Sequence, residues 1–174
     1  RTDRRHYSSW PVPRGDIALM GARAARAGVI LRRVDDLAEL KRLVTEAAAR
    51  RATDSEYLAE LAGWTGRYAA TAGVPARSVP SADSAAPIPL RVFAAGVLPQ
   101  TPNTEPADDH AAVFALGTVG DDRLSRLRAG EATSTVLLTA TALGLASCPI
   151  TEPLEVAETR ESLRREVFGT EGCP

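Results

Sequence analysis

The chain has 174 residues and a formal net charge of −1 at pH 7, with 44% hydrophobic and 25% charged residues. This length suffices for one domain with a sizeable core, and the balanced charge gives no general attraction to nucleic acid or anionic lipid. No apolar run approaches the roughly 20 residues that a membrane-spanning helix needs, and the two cysteines lack a metal-binding spacing and fit a reducing compartment. We therefore expect a cytoplasmic protein that binds neither nucleic acid nor a membrane.

The first third of the chain predicts a helix, a strand and two further helices. Apolar residues share one face of a helix over residues 16–28, and residues 29–34 are typical of a strand. Asp35 and Asp36 open the second helix, and Asp54 caps the third. This mixture of helices and strands predicts an α+β fold.

A proline-rich segment follows at residues 65–106, with seven of the 12 prolines of the chain. We predict at most one short strand there, near residues 90–93. A loop of this length in a compact domain is usually functional or disordered. A lid or arm over a site and a mobile linker both fit this composition.

The second half of the chain is organised around residues 130–151. Residues 111–116 predict a buried strand, and residues 131–143 predict a core helix because nearly every face is apolar or small. Gly144 ends that helix, residues 145–150 are typical of a short strand, and residues 159–168 predict a polar amphipathic helix. A helix, turn and strand in this order can hold a planar ligand, although a core helix without a ligand fits the same pattern.

The N-terminal residues 1–7, RTDRRHY, cluster Arg1, Arg4 and Arg5. Arginine presents a planar, permanently charged fork that pairs with two phosphate oxygens at once, so this cluster predicts a phosphate site. A solvated basic face is the alternative interpretation.

Side chains that perform acid–base or covalent chemistry are scarce. His6 and His110 have no metal-ligand partners at useful spacing, and we interpret both as surface histidines. Cys148 and Cys173 lie in no recognisable nucleophile motif, and the sequence contains no glycine-rich phosphate-binding motif. Any chemistry therefore depends on a bound cofactor.

Two segments, taken together, resemble the FMN-dependent nitroreductase superfamily. RTDRRHY is similar to the RRSxRxF-type motif of that family, and GLASCPIT at residues 144–151, with Glu152 following, is similar to its GLxSCPIEG segment. The resemblance extends over nearly the whole chain. It is strongest to a branch of fused, two-half NAD(P)H nitroreductases that is associated with dormancy responses.

This resemblance implies an FMN site with a phosphate end and a ring end. At the phosphate end, Arg1 and Arg5 hold the phosphate, and Arg4 replaces Arg5 if the register slips by one residue. Thr2 and Asp3, which depart from the commonest residues of the family, contact the ribityl chain.

At the ring end, the resemblance implies backbone contact with the isoalloxazine ring and an N–H group that donates toward flavin N5. The residues concerned are Pro149, Ile150, Thr151 and Glu152. No catalytic side chain and no metal ligand is implied.

The resemblance also implies a nitroreductase-like mixed sheet flanked by helices, with a site that a second copy or a tandem half completes. Residues 1–174 then form one FMN-binding domain, the C-terminal half of a larger unit. Its partner is either a second copy of the chain or the missing N-terminal half.

The implied function is FMN-dependent oxidoreduction, in which NAD(P)H reduces the flavin and the flavin reduces a nitro or quinone-like small molecule. A non-catalytic protein that stores FMN beneath an occluding proline-rich lid is the alternative. A structural domain that has lost its flavin is a third and weaker hypothesis.

Overall fold

The computed structural model describes residues 2–65, 72–81, 86–93, 96–100 and 111–169. These residues form five α-helices, two strands and two short 3₁₀ turns, which confirms the α+β class. In chain order they are α1 (Arg14–Arg26), β1 (Ile30–Arg33), α2 (Leu37–Arg51), α3 (Ser55–Trp64), a 3₁₀ turn (Ala76–Ser78), β2 (Phe114–Gly117), α4 (Arg123–Ala142), a second 3₁₀ turn (Glu152–Leu154) and α5 (Ala157–Phe168).

The two strands pair in antiparallel register, with Ile30 opposite Gly117 and Arg33 opposite Phe114. Both strands were predicted from the sequence. The described residues form no other ladder, so the larger mixed sheet that the resemblance implies is not formed within them.

The short strand predicted at residues 145–150 is wrong, because that segment joins no ladder. Residues 90–93, where at most one short strand was predicted, form none. The backbone of residues 145–150 is occupied in another way. The Ser147 carbonyl accepts a hydrogen bond from the Asp3 N–H, with an N···O distance of 2.9 Å. A short apolar run predicts burial, but only a neighbouring strand makes it a strand.

Aspartate side chains begin three of the helices. Asp36 accepts from the Glu39 N–H at 2.9 Å at the start of α2, and Asp54 accepts from the Tyr57 N–H at 3.0 Å at the start of α3. Both helix starts were predicted. Asp122 caps α4 in the same way, and each cap satisfies an N–H that has no partner inside its helix.

The core lies against the inner face of α2. Leu40 and Val44 form a buried cluster with Val34, which follows β1. The cluster extends through partly buried side chains from several other segments, namely Ile88, Val113, Ala115, Ile150, Leu163 and Val167. Ile150 therefore ties the segment after α4 to α2 and α5.

The longest helix, α4, is less buried than its composition predicts. It runs through Gly130 without a break, and only Ala132, Thr139 and Ala140 are buried. On the opposite face Leu124, Leu127 and Leu138 are 54%, 60% and 68% exposed. The core-helix prediction is therefore wrong for this chain: α4 packs on α1 along one side and leaves three leucines and Glu131 exposed on the other.

The described parts of the proline-rich segment pack against residues 2–7, which we call the N-terminal segment. The Arg4 guanidinium donates to the Ser78 carbonyl at 3.4 Å and lies 5.1 Å from the centre of the Phe93 ring. The His6 N–H donates to the Gln100 side-chain oxygen at 2.9 Å. Residues 66–71, 82–85, 94–95 and 101–106 of this segment lie outside the described residues.

Candidate functional site

A cavity of about 1210 Å³ lies between the N-terminal segment, β2 and residues 144–151. Its lining is mixed. Polar groups come from the N-terminal segment and also from other parts of the chain, among them Arg91 and α5, and apolar groups come from β2 and from the α4 side chains Val136 and Leu137. A large cavity with an apolar wall and a few convergent polar groups is the usual form of a small-molecule site.

The structure brings the two predicted motifs to this cavity. Asp3 and Arg5 line it from the N-terminal segment, and Pro149, Ile150 and Thr151 line it from the other side. The hydrogen bond from the Asp3 N–H to the Ser147 carbonyl joins the two motifs directly. Two stretches at opposite ends of the sequence are thus neighbours in the fold.

Three of the predicted site residues stand apart from this group. Thr2 is half-buried but does not line the cavity, and Arg1 lies outside the described residues. The Glu152 side chain is buried, 6% exposed, and is not part of the cavity lining.

In the N-terminal segment, Asp3 neutralises Arg5. The Asp3 carboxylate accepts from the Arg5 backbone N–H at 3.1 Å, from its Nε at 2.9 Å and from its Nη2. The hydrogen bond with Asp3 raises the pKa of the Arg5 guanidinium. Arg4 also lines the cavity, so the structure leaves both registers of the arginine motif open.

We call residues 148–151 the CPIT loop. Neither the Ile150 nor the Thr151 backbone N–H donates a hydrogen bond to any described residue. Backbone N–H groups are strong donors that folded proteins normally satisfy. Because both residues line the cavity, the loop offers a bound molecule two backbone donors.

Beside the CPIT loop, Arg91 is a cavity-lining residue that the sequence did not single out. The Thr151 hydroxyl donates to the Glu155 carboxylate at 3.0 Å, and Arg91 Nη2 donates to the Thr151 hydroxyl oxygen at 3.3 Å. Arg91 also pairs with Glu155. Because Arg91 is 60 residues from Thr151 and belongs to no motif, sequence reasoning had no signal by which to find it.

Glu152 and Tyr57 are the buried titratable groups beside these contacts. Burial raises the pKa of the Glu152 carboxyl, and Arg91 opposes that shift. Burial also raises the pKa of the Tyr57 phenol. The Tyr57 hydroxyl is close enough to lower the pKa of Glu152 slightly but makes no hydrogen bond of ordinary geometry.

Other side chains offer little chemistry. His6 lines the cavity and is half-buried, so its interpretation as a surface histidine is wrong; His110 and Cys173 lie outside the described residues. Burial raises the pKa of the Cys148 thiol, which disfavours the reactive thiolate.

Within the described ranges no cluster of ligands can hold a metal ion, and no helix has the length and apolar character that a membrane crossing requires.

Comparison with known proteins shows the family of this chain. No family model matches the chain. A Mycobacterium tuberculosis protein named "Putative NAD(P)H nitroreductase Rv3131" is 63% identical over 174 residues, which are 100% of this chain and 51% of that protein. The chain belongs to the nitroreductase family.

Two more distant relatives also match the chain, and the name of one of them agrees with this assignment. The M. tuberculosis protein named "Putative NAD(P)H nitroreductase acg" is 36% identical over 138 residues, 74% of this chain and 40% of its own length. "Uncharacterized protein Rv3127" of the same organism is 34% identical over 120 residues, 66% of this chain and 33% of its own length. All 174 residues of the chain match Rv3131, but they span only about half the length of that protein.

Proposed function

We propose that this chain binds FMN and forms part of an NAD(P)H-dependent oxidoreductase of the nitroreductase type. The observation that carries the proposal is the convergence of the N-terminal segment and the CPIT loop on one cavity. Family membership points to the reaction class, and the cavity supplies the groups that a flavin mononucleotide needs. One wall offers arginines for a phosphate, and the other offers unpaired backbone donors beside apolar side chains.

The residues divide into two roles. Arg1 and Arg5, or Arg4 in place of Arg5, hold the phosphate through charge-assisted hydrogen bonds, and Thr2 and Asp3 contact the ribityl chain. Asp3 already pairs with Arg5, so it sets how much of that positive charge a phosphate meets.

At the other end, the backbone of residues 149–152 lies against the ring, and the N–H groups of Ile150 and Thr151 are available as donors. Glu152 takes part only through its backbone, because its side chain is buried away from the cavity. When bound, FMN supplies the hydride chemistry by which NAD(P)H reduces a nitro or quinone-like acceptor. The protein orients the reactants and excludes water, and no side chain is required as a proton relay.

A partner completes the site in this proposal, either a second copy or the other half of a longer polypeptide. Leu124, Leu127 and Leu138 on α4 support it, because all three are large apolar side chains that are more than half exposed on one face of the longest helix. The double variant Leu127→Lys, Leu138→Lys is expected to lose its association with this partner. Leu58→Lys on α3, a position that is also exposed, is expected to leave the association unchanged. Analytical ultracentrifugation checks this, and intact association of the α4 variant contradicts it.

The phosphate end is tested by comparing FMN with riboflavin, which lacks the phosphate. Arg4→Ala with Arg5→Ala is expected to weaken FMN binding by roughly 10-fold to 100-fold for each phosphate contact that is lost, with riboflavin binding unchanged. Arg165→Ala on α5, which does not line the cavity, is the control. Equal FMN affinity in the double variant and the wild type would exclude these arginines from the phosphate site.

A second function, FMN storage without turnover, is favoured by the packing of the proline-rich segment on Arg4 and His6. The visible absorption spectrum of the full-length protein before and after anaerobic addition of NADPH separates the two functions. Flavin bands that bleach with NADPH support the reductase. Bands that persist with NADPH but bleach with dithionite support storage.

A further inference from the structure

Among the described residues, Arg91 forms the side-chain hydrogen bond that joins the proline-rich segment to the CPIT loop. Its guanidinium pairs with Glu155 and donates to the Thr151 hydroxyl oxygen at 3.3 Å. The side chain is only 22% exposed. A planar guanidinium with two partners on the same short stretch fixes that stretch more firmly than a single contact does.

Arg91 is itself held from behind by helices. Its guanidinium lies 5.8 Å from the centre of the Tyr57 ring on α3, and Arg51 of α2 lies 5.0 Å from the same ring. Arg51 also donates to the Glu155 carbonyl at 3.3 Å. The position of Arg91 is thus set by rigid elements, which is what a side chain needs in order to position another group.

The contacts of Arg91 and Glu155 restrict the Thr151 side chain. Its hydroxyl donates to Glu155 and accepts from Arg91, so its donor is used and its rotamer is restricted. The Thr151 hydroxyl is therefore engaged by Glu155 and Arg91, although the residue itself is exposed. What the loop can offer the cavity at this position is its backbone N–H.

We propose that Arg91 is a positioning residue, which fixes the CPIT loop so that its backbone donors meet the ring of a bound flavin. The part that concerns the flavin rests on the proposed function. The part that concerns the loop stands on the contacts of Arg91 alone. Arg91 acts through Thr151 and Glu155.

Hydrogen exchange on the full-length protein without flavin tests the effect on the loop. The Leu154 and Glu155 amides donate to the Thr151 and Glu152 carbonyls. Arg91→Ala is expected to speed exchange of these two protected amides, in a peptide that covers residues 149–155, by about 10-fold or more, with exchange in α2 and α4 unchanged. Arg91→Lys keeps the charge but not the planar fork, so it restores protection only in part. Arg42→Ala is the control, because Arg42 pairs with Glu39 and Glu46 on α2 and does not line the cavity. Wild-type exchange in Arg91→Ala overturns the proposal.

Thr151→Val provides a second variant in case Arg91→Ala fails to fold. It removes the hydroxyl while leaving the Arg91–Glu155 pair intact, so exchange in the same peptide is expected to rise by a smaller factor. Thr151→Ser retains the hydroxyl and is expected to behave as the wild type. Equal protection in all three proteins overturns the role of Thr151 in transmitting the effect of Arg91.

Flavin titration then tests the link to the ring. Arg91→Ala is expected to weaken FMN and riboflavin binding by the same factor, because the ring is common to both, whereas loss of a phosphate contact weakens FMN alone. Faster exchange with unchanged affinity for both flavins would support the hold of Arg91 on the loop and overturn the assignment of that loop to the ring. Failure of the wild type to bind any flavin would overturn the proposed function, and the exchange result would still decide the role of Arg91 on the loop.

Discussion

The two walls of the cavity are held by different kinds of contact. The N-terminal segment has local contacts, in which Asp3 binds Arg5 and the Tyr7 hydroxyl donates to the Asp3 carbonyl at 2.9 Å. Its distant contacts, such as that of Arg4 with Phe93, are with the proline-rich segment rather than with the core. The stretch from the CPIT loop to α5, residues 148–159, is held by residues that are distant in sequence, above all Arg91 and Arg51. The first wall is partly exposed and packs on the proline-rich segment, whereas the second is backed by the core. We therefore expect the second wall to contribute more to folding stability and the first to contribute mainly to ligand affinity.

The largest effect on stability is expected at Thr159, which is 1% exposed behind the second wall. Its hydroxyl donates to the Pro153 carbonyl at 2.7 Å. Thr159→Val keeps the volume but leaves that buried carbonyl without its donor, so the free energy of unfolding should fall by about 1 to 3 kcal/mol. Urea unfolding measures this, and Thr159→Ser is the control that retains the hydroxyl. A negligible change would contradict the claim that the core supports this wall.

The next effect depends on pH and concerns Glu152. Burial raises its pKa in the folded protein above the ordinary value of 4.5, so the neutral form is favoured by folding. The contribution of Glu152 to stability is fully present below that ordinary value and is lost as pH rises through the folded pKa. Relative to Glu152→Gln, the wild type should therefore become less stable from about pH 4 to pH 8 in a series of urea titrations. A difference that stays flat or grows in favour of the wild type would be the contrary result.

A smaller effect is expected in the N-terminal segment. Asp3→Asn removes the ion pair with Arg5, in which the side chains are 22% and 53% exposed. Exposed ion pairs add little to stability, so the thermal unfolding midpoint should change by less than about 2 °C. Differential scanning calorimetry checks this. A loss as large as that of Thr159→Val would remove the distinction between the two walls.

The smallest effect is expected from Tyr57→Phe. The Tyr57 hydroxyl is buried without a hydrogen bond of ordinary geometry, so its removal should change the free energy of unfolding by less than about 0.5 kcal/mol. The ring remains to pack against Arg91 and Arg51. A large loss in urea unfolding would show that the hydroxyl, and not only the ring, stabilises the second wall.

Sequence reasoning located both walls because each carries a recognisable motif. It could not predict that Arg91, Tyr57 and Arg51 lie close to the CPIT loop and Glu155, since such contacts depend on how α2, α3 and the proline-rich segment pack. It also predicted a strand at residues 145–150, where the apolar pattern is suitable but no neighbouring strand pairs with it.

The sequence by itself determined the features that depend on neighbouring residues: the aspartate caps of α2 and α3, the glycine that ends α4, and the two motifs. Gly144 adopts φ of 76°, a conformation that only glycine reaches without strain. The tertiary structure decided burial and partnership. It left the leucine-bearing face of α4 exposed, buried the acidic side chain of Glu152, and placed Arg91 against Thr151. Local hydrogen bonds are set within a few residues, whereas burial and distant ion pairs depend on where the whole chain brings its elements together.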